Sequence, residues 1–200
     1  LFGVGATLAR SFSPDEMQVV PAPSAFSLAA ARLGWALQDV DTVSLHGKAL
    51  TLIRRYLHRG RRILCLTSDD EAPGRIAGLI SSLGFGPSRL TVLEALGGPN
   101  ERIRSAQADV FALDNINPLN ILAIECESTR EALVVPLAPG LPDEVFEHDG
   151  QITKREIRAL TLSALAPRKG ELLWDVGAGS GSVGIEWMLA DPSLRAIALE

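Results

Sequence analysis

Only two cysteines, Cys65 and Cys126, occur among the 200 residues. They form no CxxC pair and match no zinc-ligand spacing, so neither a disulfide framework nor a thiolate metal site organises the chain. Both lie in apolar runs, where reduced core thiols of a cytoplasmic protein are expected. Basic charge is scarce as well: 19 Lys and Arg against 24 Asp and Glu leave a net charge of −5. Nucleic acid calls for a basic face and is not the expected partner. No apolar run approaches the roughly 20 residues of a membrane span, and no secretory leader is visible, so no membrane partner is expected either. Internal repeats are absent. With 46% hydrophobic and 22% charged residues the chain does not have a disordered composition, and it is long enough for one large or two small cores.

What is present is concentrated in residues 172–187, L-L-W-D-V-G-A-G-S-G-S-V-G-I-E-W. An apolar strand over 172–176 runs into Gly177, Ala178, Gly179, Ser180 and Gly181, and then into an amphipathic helix start. Glycines at such a turn let the backbone lie against a ligand, whose polar groups meet the free N–H groups of the helix N-terminus. The pattern points to a nucleotide cradle. Gly179 to Gly184 is also a literal G-x-G-x-x-G, so a dinucleotide site remains open, as does a turn that holds no ligand. Asp175, two residues before the first glycine, favours a cationic ligand over a pyrophosphate. S-adenosylmethionine, with its sulfonium and ammonium, is such a ligand. A second strand over 194–200 ends in Glu200, at the place of an acid that pairs with ribose hydroxyls. A rival reading is a non-enzymatic or regulatory nucleotide-binding α/β protein that uses the same turn.

Along the rest of the chain, helices are predicted over 5–11, 24–33, 50–58, 73–83 and 100–106. Strands are predicted over 18–21, 42–45, 62–66, 89–94 and 120–125. The alternation implies an α/β class with a substantially parallel sheet. Residues 131–150, with Pro136, Pro139, Pro142 and clustered acids, read as a connector. Thr153 to Glu156 reads as a capping box that opens a helix with Ile157, Leu160 and Leu165 on its apolar face. The domains expected are 1–127, a linker over 128–150, and 151–200. The chain starts without a methionine and ends after two strands of its second sheet, so a piece of a longer protein is expected.

D-x-G-x-G-x-G followed by a strand ending in an acid resembles the first two motifs of class I methyltransferases. Further segments occur in a fixed order: 21–26 (P-A-P-S-A-F), 44–47 (S-L-H-G), 92–99 (V-L-E-A-L-G-G-P), 140–146 (G-L-P-D-E-V-F) and 150–158 (G-Q-I-T-K-R-E-I-R). With the turn they resemble the bifunctional precorrin-6Y methyltransferase family of cobalamin biosynthesis. The resemblance implies the latter part of a tetrapyrrole-methylase domain, followed by the first strands and helices of a Rossmann-like class I methyltransferase domain. It further implies a tetrapyrrole (precorrin) substrate, methylation at carbons 5 and 15 with loss of an acetate carboxyl, and S-adenosylmethionine in two sites. The matching residues are Thr153, Asp175, Gly177, Ala178, Gly179, Ser180, Gly181 and Glu200 in the second site. In the first they are Phe2 and the pair Ser24-Ala25, where relatives usually show two serines. No catalytic residue is assigned and no metal is expected; a homo-oligomer is.

Several of these residues carry a plainer alternative. Thr153 and Ser24 precede helices and can serve as N-caps. His46 is either a proton shuttle or a turn histidine bonded to backbone. Asp69, Asp70 and Glu71 lead into a helix with Pro73 near its first turn, which is ordinary capping chemistry, or they bind a divalent ion. Arg155 and Arg158 are either anchors for the substrate's carboxylates or a solvated helix face. Glu186 reads as a surface or packing polar residue, and the acidic run over 143–149 either as a solvated linker or as groups that face the substrate.

Overall fold

The computed structural model describes residues 4–200. Five strands form the larger sheet: β1 (Asp41–Ser44), β2 (Arg62–Leu66), β3 (Arg89–Glu94), β4 (Arg102–Gln107) and β5 (Asn120–Glu125). Their spatial order is β1-β2-β5-β3-β4. Only β1 and β2 are parallel; the other three pairings are antiparallel. The class is α/β, but the sheet is mixed and predominantly antiparallel, which corrects the expectation of a largely parallel one.

The reason lies in residues 95–107. The segment over 100–106, expected to be a crossover helix, is the edge strand β4. The connection from β3 holds Gly97, Gly98, Pro99 and Asn100, turn residues in a link shorter than a parallel crossover requires. Arg102 and Arg104, two apart on a strand, share one face. Both reach the buried carboxylate of Glu94.

The central strands are apolar on both faces because both are covered. The first α-helix, α1 (Val4–Leu8), contributes no buried residue. The second, α2 (Ala25–Leu33), sets Ala29 and Ala30 against Leu64, Leu93, Ile121 and Ala123. On the opposite face α3 (Ala72–Ile80) and a 3-10 segment, Leu50–Tyr56, set Ile53, Ile76 and Ile80 against Ile63, Cys65, Val92 and Ile124. Each fully buried Ile or Leu contributes about 1.5–3 kcal/mol, so these two layers dominate the stability of the sheet. The helix expected over 50–58 is thus a 3-10 segment that ends at Tyr56. Residues 18–21 form no strand: prolines at 21 and 23 remove backbone donors, and Val19 and Val20 stay exposed.

The second sheet has two parallel strands, β6 (Leu172–Val176) and β7 (Arg195–Leu199), joined through α5 (Ser182–Ala190) and preceded by α4 (Arg155–Leu165). Leu162, Trp187 and Leu194 form its core. On the other face of the strands Trp174, Val176, Ile197 and Leu199 are exposed. The capping box at Thr153 is not formed. Lys154 is the N-cap of α4 and makes no side-chain cap. Ile157, Leu160 and Leu165 point outward, and Arg158 and Leu162 are the buried positions. The helix is rolled so that an arginine, not an isoleucine, faces inward.

The connector between the sheets is docked at both ends. Thr129 and Leu133 donate backbone hydrogen bonds to the carbonyls of Gly84 and Leu83, both at 2.9 Å. Gly140 and Leu141 are held by the side chain of Glu186.

Candidate functional site

The strand β6 delivers the chain to a turn whose three glycines, Gly177, Gly179 and Gly181, have φ of +71°, +51° and +66°. Side chains rarely adopt that region, so the sequence alternates glycine with Ala178 and Ser180. A methyl group built on Gly177 or Gly179 would meet nothing within 4 Å. Glycine is therefore required here by backbone angle, and the space beside the backbone is open.

The turn is tied to the end of β7. Gly177 and Ala178 donate to the carbonyl of Leu199 at 2.7 and 3.3 Å, and Gly181 closes the turn onto the carbonyl of Ala178 at 2.8 Å. That pairing brings Glu200, the next residue, alongside: its Oε2 accepts from the Gly179 N–H at 3.0 Å. Ser180, half-buried, sits at the tip.

Asp175 is half-buried, and its Oδ2 accepts from the N–H of Gly184 in the first turn of α5 at 3.1 Å. One oxygen of the acid thus caps a helix whose first N–H groups have no intrahelical partner. Gly184 has a packing role. A Cβ there would lie 3.1 Å from Asp175 Oδ2 and 3.4 Å from Ala196 Cβ, so its absence lets the helix lie close on the strands. The literal G-x-G-x-x-G therefore divides into turn glycines, Gly179 and Gly181, and a packing glycine, Gly184.

Thr153 is exposed, and its carbonyl accepts from Arg158 Nη1 at 2.5 Å. The guanidinium of Arg158 is fully buried. Its Nε donates to Glu186 Oε1 at 2.5 Å, Nη1 to Asp143 Oδ1 at 3.0 Å and Nη2 to the Leu141 carbonyl, while Phe146 stacks 4.5 Å below it. Glu186 in turn accepts from the N–H groups of Gly140 and Leu141, at 2.6 and 3.0 Å. Arg158 cannot be an exposed anchor for substrate, and Glu186 is not a surface group. The signal for both was present: Arg158 lies one helical turn before Leu162, and Glu186 sits beside Trp187 in an apolar run. A charge on a buried stripe calls for a partner.

In the larger sheet, Ser24 is the N-cap of α2, its hydroxyl accepting from Ser27 N–H at 3.1 Å, and Ala25 opens that helix. Phe2 lies outside the described residues. His46 Nδ1 faces the Thr67 carbonyl at 3.1 Å, so that nitrogen carries the proton of a backbone-bonded turn histidine. Asp69 accepts from the N–H groups of Glu71 and Ala72 and pairs with Arg75, as capping chemistry predicts. The hydrogen bonds from Arg75 hold its carboxyl below the usual value. Among the described residues no cluster of His, Cys, Asp and Glu could hold a metal, and no helix is long and apolar enough to cross a membrane.

Sequence reasoning missed the polar end of this sheet. Glu94, 0% exposed, accepts from Arg102, Arg104 and the Asn117 N–H, while Thr67 and Asn120 bond each other beside it. Burial alone would push the Glu94 carboxyl up; the hydrogen bonds from Arg102, Asn117 and Arg104 outweigh it and hold the group below its ordinary value. Only the strand assignment of residues 102–107 brings these groups together.

Compared with known proteins, residues 1–111 match the tetrapyrrole (corrin/porphyrin) methylase family, more than half of the chain. The chain belongs to that family. Residues 144–200 match a precorrin methyltransferase domain. A precorrin-6Y C(5,15)-methyltransferase [decarboxylating] from a Sinorhizobium species is 61% identical over 199 residues, all of this chain and 48% of the relative. The protein of the same name from Mycobacterium tuberculosis is 43% identical over 204 residues, again the whole chain and 50% of the relative. A probable cobalt-precorrin-6B C(15)-methyltransferase (decarboxylating) from Saccharolobus solfataricus is 52% identical over 50 residues, 24% of this chain and 25% of that protein. The chain spans about half the length of the first two relatives. The methylase match ends at residue 111, before β5, although β5 is the middle strand of the sheet.

Proposed function

We propose that this chain is part of an S-adenosylmethionine-dependent methyltransferase that methylates a precorrin at carbons 5 and 15 and removes an acetate carboxyl in cobalamin biosynthesis. The observation that carries the reading is the open glycine turn flanked by two carboxylates, Asp175 and Glu200, in a chain whose full length aligns with precorrin-6Y methyltransferases. Its residues fit the cofactor: space beside Gly177 and Gly179 for an adenosyl group, Glu200 for the ribose hydroxyls, and net negative charge for a sulfonium and an ammonium. A pyrophosphate would meet repulsion from the same two acids. Thr153 contributes a hydroxyl from the segment before α4, and Ser180 another from the tip of the turn. Ser24 and Ala25, at the N-terminus of α2, belong to the site of the first unit with Phe2.

S-adenosylmethionine supplies an activated methyl group, so the protein's part is to hold an electron-rich carbon in line with it and exclude water. The turn offers the cofactor a rigid backbone, and Glu200 offers it a carboxylate held in place by the Gly179 N–H. No side chain needs to act as nucleophile. The two units divide near 128–150, with the connector pinned at 129–133 and again at 140–146. We place the enzyme in the cytoplasm, where its two buried thiols stay reduced.

The decisive experiment compares calorimetric titration of S-adenosylmethionine with that of nicotinamide dinucleotides, on the protein at the length of its curated relatives. Micromolar binding of the first and none of the second is expected, with methyl incorporation and carbon dioxide release on incubation with the precorrin. Preferential binding of a dinucleotide would replace this reading with the regulatory one.

A further inference from the structure

Burial of an arginine and a glutamate together rarely stabilises a fold more than apolar residues of the same size would. Arg158 and Glu186 are nonetheless among the best satisfied groups of the second unit, 0% and 5% exposed. Their partners have a common feature: each lies on a segment that leads to the glycine turn or to Thr153. Glu186 belongs to α5, the helix that starts at the turn and whose first-turn N–H is capped by Asp175. Arg158 belongs to α4 and bonds the carbonyl of Thr153 immediately before that helix, at 2.5 Å. The pair is joined at 2.5 Å. The 140–146 segment is wrapped around it through Gly140, Leu141, Asp143 and Phe146.

We propose that the buried Arg158–Glu186 pair is a positioning device for the cofactor site, fixing the Thr153 segment relative to α5 and its glycine turn. Neither residue touches the cofactor; both act through the segments they hold. An apolar pair would fill the space but could not hold the Thr153 carbonyl, and a lysine could reach one acceptor but not the fork of them that Arg158 serves. The inference rests on the cofactor reading above, because Thr153 and the turn are its two ends.

The test uses the protein at the length of its curated relatives, with Arg158→Lys and the double substitution Arg158→Met with Glu186→Met. The double variant leaves no unpaired buried charge but takes the acceptor from the N–H groups of Gly140 and Leu141, whereas Arg158→Lys keeps Glu186 in place and is the variant expected to retain the fold. Both are expected to raise the KM and the Kd for S-adenosylmethionine on the order of tenfold, as a misplaced contact does, with kcat at saturating cofactor little changed. Thermal midpoints identify which variants are folded at the assay temperature. A folded variant pair with unchanged KM and Kd would overturn the positioning role and leave a purely structural ion pair. Gly179→Val is measured alongside. If it too binds S-adenosylmethionine normally, the site itself has been misassigned and the positioning role falls with it. If only Gly179→Val loses affinity, the positioning role alone is wrong.

Discussion

Glu200 holds the N–H of Gly179 at 3.0 Å, so the acid that ends β7 grips the turn that ends β6. The oxygen it uses for that bond is one of the two with which it would accept ribose hydroxyls. A ligand and the turn therefore share a single carboxylate, and the conservative amide separates the two uses.

Glu200→Gln can keep its carbonyl oxygen on Gly179, but its NH2 end cannot accept a hydroxyl. S-adenosylmethionine should bind weaker by about 1–3 kcal/mol, the range for hydrogen bonds to a charged group. An analogue without ribose hydroxyls should lose much less, as titration calorimetry of both ligands will read. Equal losses would leave Glu200 as a strand-end acid that only braces the turn.

At Asp175 the structure adds a second role to the electrostatic one, since the carboxylate caps Gly184 at 3.1 Å. Asp175→Ala should cost about 1.5–3 kcal/mol of stability. Asp175→Asn keeps an acceptor for Gly184 and should cost less, while still losing the attraction for a cationic cofactor. Urea unfolding and cofactor titration on both variants check this; an Asn variant that binds normally would reduce Asp175 to a helix cap.

Gly184→Ala sets two effects against each other. Alanine gains up to about 1 kcal/mol of helix propensity. Its Cβ, however, falls 3.1 Å from Asp175 Oδ2, with Ala196 at 3.4 Å, and crowding of that kind costs about 1–3 kcal/mol. Net destabilisation is expected, measured by chemical denaturation, and a more stable variant would show that α5 shifts freely on the strands.

Acid should weaken the larger sheet through Glu94. Its folded value lies below the ordinary 4.5, so the native state favours the carboxylate. The contribution is complete above the unfolded value, and it is lost as pH falls from there through the folded value. The difference in urea midpoint between the wild type and Glu94→Gln should therefore be largest near neutral pH and shrink below about 4.3. A difference independent of pH would mean that Glu94 contributes by shape alone.

Cys65 and Cys126 are 0% and 1% exposed, and burial raises both thiols, Cys126 to about 12. A thiol reagent at pH 8 should label neither until the protein is unfolded, because the thiolate is the reactive form. Rapid labelling of either in native buffer would contradict the packing of β2 or the turn after β5.

What could be read from the sequence follows the range of the interactions. The strands over 62–66, 89–94 and 120–125 were predicted with the bounds observed, because each is a short, mainly apolar run between turn residues, and its central positions are buried on both faces. The glycine turn was also legible, since backbone angle dictates its composition locally. β4 was not: Arg102, Arg104, Ala106 and Gln107 suit a helix, and their strand pairing depends on Glu94 and Thr91 on a neighbouring strand. Arg158 escaped for the same reason, since Glu186, 28 positions away, is what keeps it buried.

The strand that completes the larger sheet is the last to be made. β5 lies between β2 and β3, although it follows both in the chain. Until residue 125 has left the ribosome, those two strands have no neighbour to join them, and two apolar edges stay open to any other strand in reach. Synthesis halted at residue 111, where the family match stops, would yield a chain with its sheet split down the middle. Both edges of such a nascent chain stay open until Ile121 to Ile124 enter the gap between them.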